Sequence, residues 1–232
     1  MIDNGLTTFF QYNEYPIKQD ASANSIVEGS PLVITTDNGV GKVSLGTGSD
    51  SEKFLGVAFA GLVRPTVLPF QESFAVPTAL TYVLQKQALS LPLVYIDGVV
   101  ATVATTAPTA TDEVQYTIAT NTLTFYTGTT GNVIVVYKYT ASLVEARAAT
   151  GDGYPGGLEL NELNGTIGVI KQGTVATDQF DLTVDWSASN TGTIKVNSAG
   201  LFSIGGTGAT VSNGYVVQAP GFGSPFLVIG LK

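Results

Sequence analysis

Hydrophobic and polar residues alternate in short runs along most of this chain, and Gly, Asn and Asp separate the runs. A period of two predicts half-buried strands joined by tight turns. Ser30-Pro31-Leu32-Val33-Ile34-Thr35-Thr36 reads as a strand, Asp37-Asn38-Gly39 as a turn, and the stretch near Lys42-Val43-Ser44 as the returning strand. Asn-Gly supplies the positive φ that a two-residue hairpin turn requires. After a Gly/Ser/Thr loop, Phe54-Leu55-Gly56-Val57-Ala58-Phe59-Ala60 is almost wholly apolar, the mark of a strand covered on both faces. Pro65, Pro69 and Pro77 then punctuate a stretch expected to be a connector or an edge segment, because Pro lacks a ladder N–H.

A second unit follows. Val94-Tyr95-Ile96, the turn Asp97-Gly98 and Val99-Val100 form one hairpin pattern. Tyr116-Thr117-Ile118 and Thr122-Leu123-Thr124-Phe125-Tyr126 flank another turn, and Val133 to Tyr139 closes the unit. Short strands at this spacing predict an immunoglobulin-like sandwich, without the Cys and Trp pattern of antibody domains. Leu143 to Ala149 is the best helical stretch, and Gly151 to Gly157 reads as a hinge or surface loop. Strands are then expected at Thr166–Ile170, Phe180–Trp186, Ile194–Val196, Leu201–Ile204, Tyr215–Val217 and Phe226–Leu231. The expected organisation is a β domain over 1–76, the sandwich over 77–142 and a C-terminal β domain over 143–232. The two outer segments share a rhythm of strand, turn, strand, loop and apolar strand. That rhythm is either the common grammar of all-β chains or a sign that they pair around an inserted middle domain.

Composition narrows what such a chain can do. Of 232 residues, 44% are hydrophobic and 12% charged, the latter about half the roughly 25% usual in soluble domains. Such a chain has the apolar content to fold rather than remain disordered. The net charge of −8 and the lack of a Lys/Arg cluster argue against nucleic-acid binding. With no Cys and no His, disulfides, thiolate metal sites, thiol nucleophiles and the commonest general base are all excluded. The opening Met1-Ile2-Asp3-Asn4-Gly5 lacks a signal-peptide pattern, and no apolar run reaches the roughly 20 residues of a membrane span. A soluble protein made in a cytoplasm is expected.

Candidate chemistry is sparse. Asp178, Asp181 and Asp185 form the densest acidic group, and on a strand Asp181 and Asp185 would share a face, as the two carboxylates of a glycosidase must. With Leu182 and Val184 on the opposite face, the pair reads more simply as a solvated strand face. Glu159 and Glu162 read as solvated too. Gly205-Gly206-Thr207-Gly208-Ala209 and Gly39-Val40-Gly41-Lys42 lack the Gly-Lys-Ser/Thr and following helix of a phosphate loop, so both are turns. Asn164-Gly165-Thr166 matches a glycosylation acceptor by accident. Trp186 and the Tyr residues offer either a sugar-binding surface or core material. Oxygen ligands for Ca²⁺ remain chemically open, but no EF-hand loop or repeated Asp motif is present. No catalytic, cofactor or metal residue is assigned, and no cofactor is expected.

Gly29-Ser30-Pro31-Leu32-Val33 through Asp37-Asn38-Gly39, followed by Lys53-Phe54-Leu55-Gly56-Val57-Ala58, resembles the small β domains of phage head-decoration (cement) proteins. Gly165 to Trp186 and Gly214 to Lys232 resemble the C-terminal part of related virion proteins, above all at Thr177-Asp178-Gln179-Phe180-Asp181 and Ser224-Pro225-Phe226-Leu227. The middle unit resembles the immunoglobulin-like insertions of phage structural proteins. The resemblance implies an all-β chain, with small β-barrel or β-tulip-like domains beside a sandwich. It implies a non-enzymatic protein that binds the major capsid protein lattice outside an icosahedral head, commonly as a homotrimer, with no nucleic-acid or membrane partner. The location would be the virion exterior, after synthesis in the host bacterial cytoplasm. Phe9, Phe10, Tyr12 and Tyr15 are the candidate assembly-interface residues, on either an extended arm or a first strand. The rivals are a tail-tube or baseplate subunit, a carbohydrate-binding or adhesin module with the immunoglobulin-like unit as binder and Trp186 as its test residue, and, last, a hydrolase using Asp181 and Asp185. A major capsid protein is disfavoured, because no long spine helix is legible.

Overall fold

The computed structural model describes residues 10–18, 26–37, 39–59, 67–142, 145, 166–187 and 192–232. Among the described residues the chain is all-β, as expected. The first strands are β1 (Phe10–Pro16), β2 (Pro31–Asp37), β3 (Val40–Leu45) and β4 (Lys53–Ala58). The middle of the chain supplies β5 (Val67–Ala75), β6 (Thr81–Val83), β7 (Leu93–Ile96), β8 (Val99–Val100), β9 (Thr102–Ala104), β10 (Glu113–Thr117), β11 (Thr122–Phe125) and β12 (Asn132–Thr140). The last strands are β13 (Thr166–Thr177), β14 (Ile194–Val196), β15 (Phe202–Ile204), β16 (Ala209–Thr210), β17 (Gly214–Gln218) and β18 (Leu227–Leu231). The helical stretch expected at 143–149 lies outside the described residues apart from Glu145, and Gly151–Gly157, Glu159, Glu162 and Asn164 lie outside them altogether.

The two outer segments build one sheet. Its order is β17-β18-β13-β4-β2-β3, with β1 paired to the other side of β13. The free end of β1 reaches β3 through a parallel bridge between Ile17 and Val43 and a 2.9 Å bond from Lys18 N–H to Val43 O. The strands β1, β13, β4, β2 and β3 therefore close into a small barrel, which removes two edges that would otherwise lie open. Ile17, Leu32, Val43, Ala58, Ile167 and Val169 form its core with Ile26. Residues of alternate parity on the same strands, Val33, Val57 and Ile170, face a second and larger core. Covering on both faces is the reason β4 reads as an unbroken apolar run.

The middle segment is a two-sheet sandwich. One sheet runs β5-β12-β7-β8 and the other β6-β11-β10-β9. The strand crosses from the first sheet to the second at the buried Ala101, between β8 and β9. Asp97 and Gly98 both hold positive φ (50° and 83°), so the β7–β8 turn has the handedness that fits twisted strands. β5 was expected to be connector or edge, and it is an edge strand that pairs with β12 from Val67↔Thr140 to Ala75↔Asn132. Pro69 is tolerated there because an edge strand needs a ladder on one side only. The sandwich thus takes in residues before 77.

The segment Phe180–Trp186 was expected to be a strand and is a set of turns. Asp181 Oδ1 accepts the Thr183 backbone N–H at 2.9 Å and the Thr183 hydroxyl at 2.7 Å. Asp185 Oδ1 does the same with Ser187, at 2.8 and 2.6 Å. An Asp side chain that binds the backbone two residues on offers an alternative to the ladder, and here it wins twice. Gly205, Gly206 and Gly208 all hold positive φ and turn the chain from β15 into β16, completing the small sheet β15-β14-β16.

Candidate functional site

Two places bring polar side chains together. The first is the seam between sandwich and barrel. Along β12 the odd positions Val133, Val135, Tyr137 and Tyr139 face the sandwich interior. On the opposite face Val136, with Leu93 and Tyr95, belongs to the same core as Phe180, Trp186 and Phe202, and Ile134 packs against it. Lys138 shares that face. Its ammonium donates to the Phe180 carbonyl at 3.3 Å and lies 5.3 Å from the centre of the Phe180 ring. Burial pushes its pKa below the ordinary lysine range, opposed by the charges of Asp178 and Asp181. Gly221 (φ 96°) fits against Tyr95, and Phe222 meets the Tyr95 ring edge-on at 5.1 Å. Gln71 donates to Gly221 O at 3.1 Å. Gln71 Oε1, Tyr95 OH and Ser224 Oγ are buried here without a hydrogen-bond partner. A cleft of about 290 Å³ opens along the seam between Leu93, Val100, Leu182, Val184 and Asp185.

Inside the sandwich lies a buried carboxylate that sequence reasoning missed. Glu72 accepts the hydroxyls of Tyr137 and Tyr82, at 2.5 and 2.8 Å, and the Gln85 N–H at 2.8 Å. Burial first, then the bond to Glu72, raises the pKa of both phenols, so they remain neutral donors. The signal was present: in Phe70, Glu72, Phe74 the acid takes the inward position of an alternating strand. With its lone pairs bound on this edge strand, Glu72 ties β5 to β6 and β12.

The second place is a fork in the large sheet. β4 and β18 lie on the same side of β13. β4 pairs only at Val57↔Ile170 and Ala58↔Val169, while β18 joins at Leu231↔Gly173. Gly56 sits at the crotch, where a Cβ would collide with the Ile170 carbonyl oxygen. Beyond it the strands part around a groove of about 500 Å³, lined by Asn13, Phe54, Lys171, Gln172, Asn213 and Lys232. Lys171 donates to Tyr15 OH at 2.8 Å, and the Lys232 ammonium lies 4.8 Å from the centre of the Tyr215 ring.

The residues singled out from sequence fall as follows. Phe9 lies outside the described residues. Phe10 and Tyr12 are on β1, whose partner is β13 of the same chain, so residues 10–16 are a first strand. Tyr15 is half-buried against the barrel core. Trp186 is fully buried, meets Phe180 edge-on at 6.0 Å, and donates its indole N–H to Asp181 O at 2.8 Å. It offers no ring to a sugar. Asp181 and Asp185 are each engaged in their own turn. Among the described residues no group of three or more Asp or Glu could hold a metal ion. Among the described residues no helix is long and apolar enough to cross a membrane. No family model, curated protein or solved structure matches the chain.

Proposed function

We propose that this chain is a virion structural protein that binds the outer surface of an icosahedral phage head and stabilises it. The observation that carries the reading is the common core of barrel and sandwich. Tyr95 and Val136 of the sandwich pack in one cluster with Val57 and Ile170 of the barrel wall and with Phe180 and Trp186. A protein that reinforces a shell must pass load between its parts, and parts sharing a close-packed core move together. Closure of the barrel and the polar ties of Glu72 act in the same direction, fixing edges instead of presenting reactive groups. A chain so low in charge and so rich in strands suits broad contact in a symmetric lattice.

Co-sedimentation of the purified protein with expanded empty heads tests the reading. Saturable binding, with heads that withstand a higher temperature when coated, is the expected result. Heads that neither retain the protein nor gain stability would refute it. Rings or filaments formed by the protein alone would instead favour a tail-tube subunit.

A further inference from the structure

We propose that the forked groove between β4, β13 and β18 is the acceptor half of a contact between copies of this chain, receiving an acidic surface segment of a neighbouring copy. The fork leaves the β13-facing edge of Lys53, Phe54 and Leu55 without a strand partner among the described residues, because the β4–β13 ladder ends at Val57↔Ile170. An unpaired edge is a template for an incoming extended segment. The amides of Asn13, Gln172 and Asn213 line the same groove and offer donors and acceptors to a main chain.

Charge selects the occupant. Lys171 and Lys232 line the groove and Lys53 adjoins it, three of the ten basic residues of a chain whose net charge is −8. None of the three takes part in an ion pair among the described residues, whereas Lys86 and Lys195 are held by Glu145 and Asp50. A positive groove on an acidic molecule complements that molecule's own surface, and a second copy supplies it at matching concentration. The charged side chains that line the groove are Lys171 and Lys232, so its acidic complement lies elsewhere on the chain and the contact is heterologous. Such contacts close into rings when the rotation permits. This inference stands whether or not the assembly clothes a phage head.

Light scattering after size-exclusion chromatography, over a concentration series at low and high salt, tests it. The wild-type chain should associate at low salt and dissociate as salt screens the groove. Lys171→Glu/Lys232→Glu should weaken association at least tenfold with an unchanged melting temperature. If that variant melts early through loss of the Lys171–Tyr15 bond, Lys53→Glu/Lys232→Glu carries the same test. A wild-type chain that stays monomeric throughout overturns the proposal, as does association indifferent to both salt and charge reversal. Head co-sedimentation scored on the same variants separates this contact from lattice binding.

Discussion

Trp186 gives the most direct test of the core that joins barrel to sandwich. It is the only tryptophan, is fully buried, packs edge-on against Phe180 and bonds Asp181 O. Truncating a buried Trp to Ala costs about 3–5 kcal/mol through lost transfer free energy and the cavity left behind. The edge-on ring pair contributes roughly 0.5–1.5 kcal/mol of that, and the indole hydrogen bond about 1 kcal/mol. Trp186→Ala should therefore lose about 4 kcal/mol, which at roughly 2–4 °C per kcal/mol for a chain of this size lowers Tm by about 8–16 °C. Trp186→Phe keeps a ring but strands the Asp181 carbonyl, and should lose about 1–2 kcal/mol. Far-UV circular dichroism during urea and thermal unfolding measures both, since neither variant retains the fluorophore. In the wild-type protein acrylamide should barely quench the native fluorescence. Efficient quenching, or a Trp186→Ala variant within about 1 kcal/mol of wild type, would show that Trp186 is a surface residue and would undo the shared-core argument.

Glycine should matter by position. Gly56→Ala drives a methyl onto the Ile170 carbonyl oxygen and to within 2.7 Å of Val169 Cγ1, and should cost about 3 kcal/mol. Gly39→Ala meets nothing within 4 Å and pays only for its φ of +79°, about 1 kcal/mol, so urea midpoints should rank the two clearly. Asn121, at φ 55°, donates to Leu84 O and Lys86 O and accepts from Tyr116 OH and Ala88 N–H. Asn121→Ala should cost about 3 kcal/mol or more in the same assay, because it leaves several buried partners unsatisfied. The Glu145 carboxyl is held down to about 2 by its bond to Lys86 and then by Ser142. Its contribution to stability is therefore complete above the ordinary carboxylate range and is lost as pH falls towards about 2. A carboxyl NMR titration should find that depressed midpoint, and Lys86→Met should raise it only part of the way, because the Ser142 N–H and hydroxyl still donate to the carboxylate.

Legibility followed the range of the interactions. The β7–β8 hairpin was readable because Asp97-Gly98 meets a local requirement for two positive φ angles. The strands β10, β11, β12, β14, β15, β17 and β18 were readable because each carries its own alternation or apolar run. Phe180–Trp186 misled because its alternation is real, yet Asp181 and Asp185 satisfy neighbouring backbone groups more cheaply than a ladder would. The two-residue strand β16 had no pattern long enough to read. Nothing local announces that β13 must sit between β1 and β4, since that depends on matching residues more than a hundred positions apart. The groove lysines were missed for the same reason: Lys171 and Lys232 are far apart in sequence and meet only because β18 joins β13 just beyond the crotch at Gly56.

The position of β13 explains why an insertion of this size is tolerated. Its Thr166–Gly173 half completes the barrel against β1, and its Gly173–Thr177 half carries β18 and, through it, β17. One strand therefore belongs to both halves of the outer unit, which cannot close until the chain has passed through the sandwich and returned. A sandwich held by a loose tether would leave its Tyr95–Val136 face wet. Here Phe180, Trp186 and Gly221, all after β13 begins, cover that face. The same return of the chain that closes the barrel thus buries the outer wall of the insertion. Barrel closure and sandwich docking are therefore coupled steps, and a lesion at the crotch residue Gly56 should loosen the docking of the sandwich as well as the barrel.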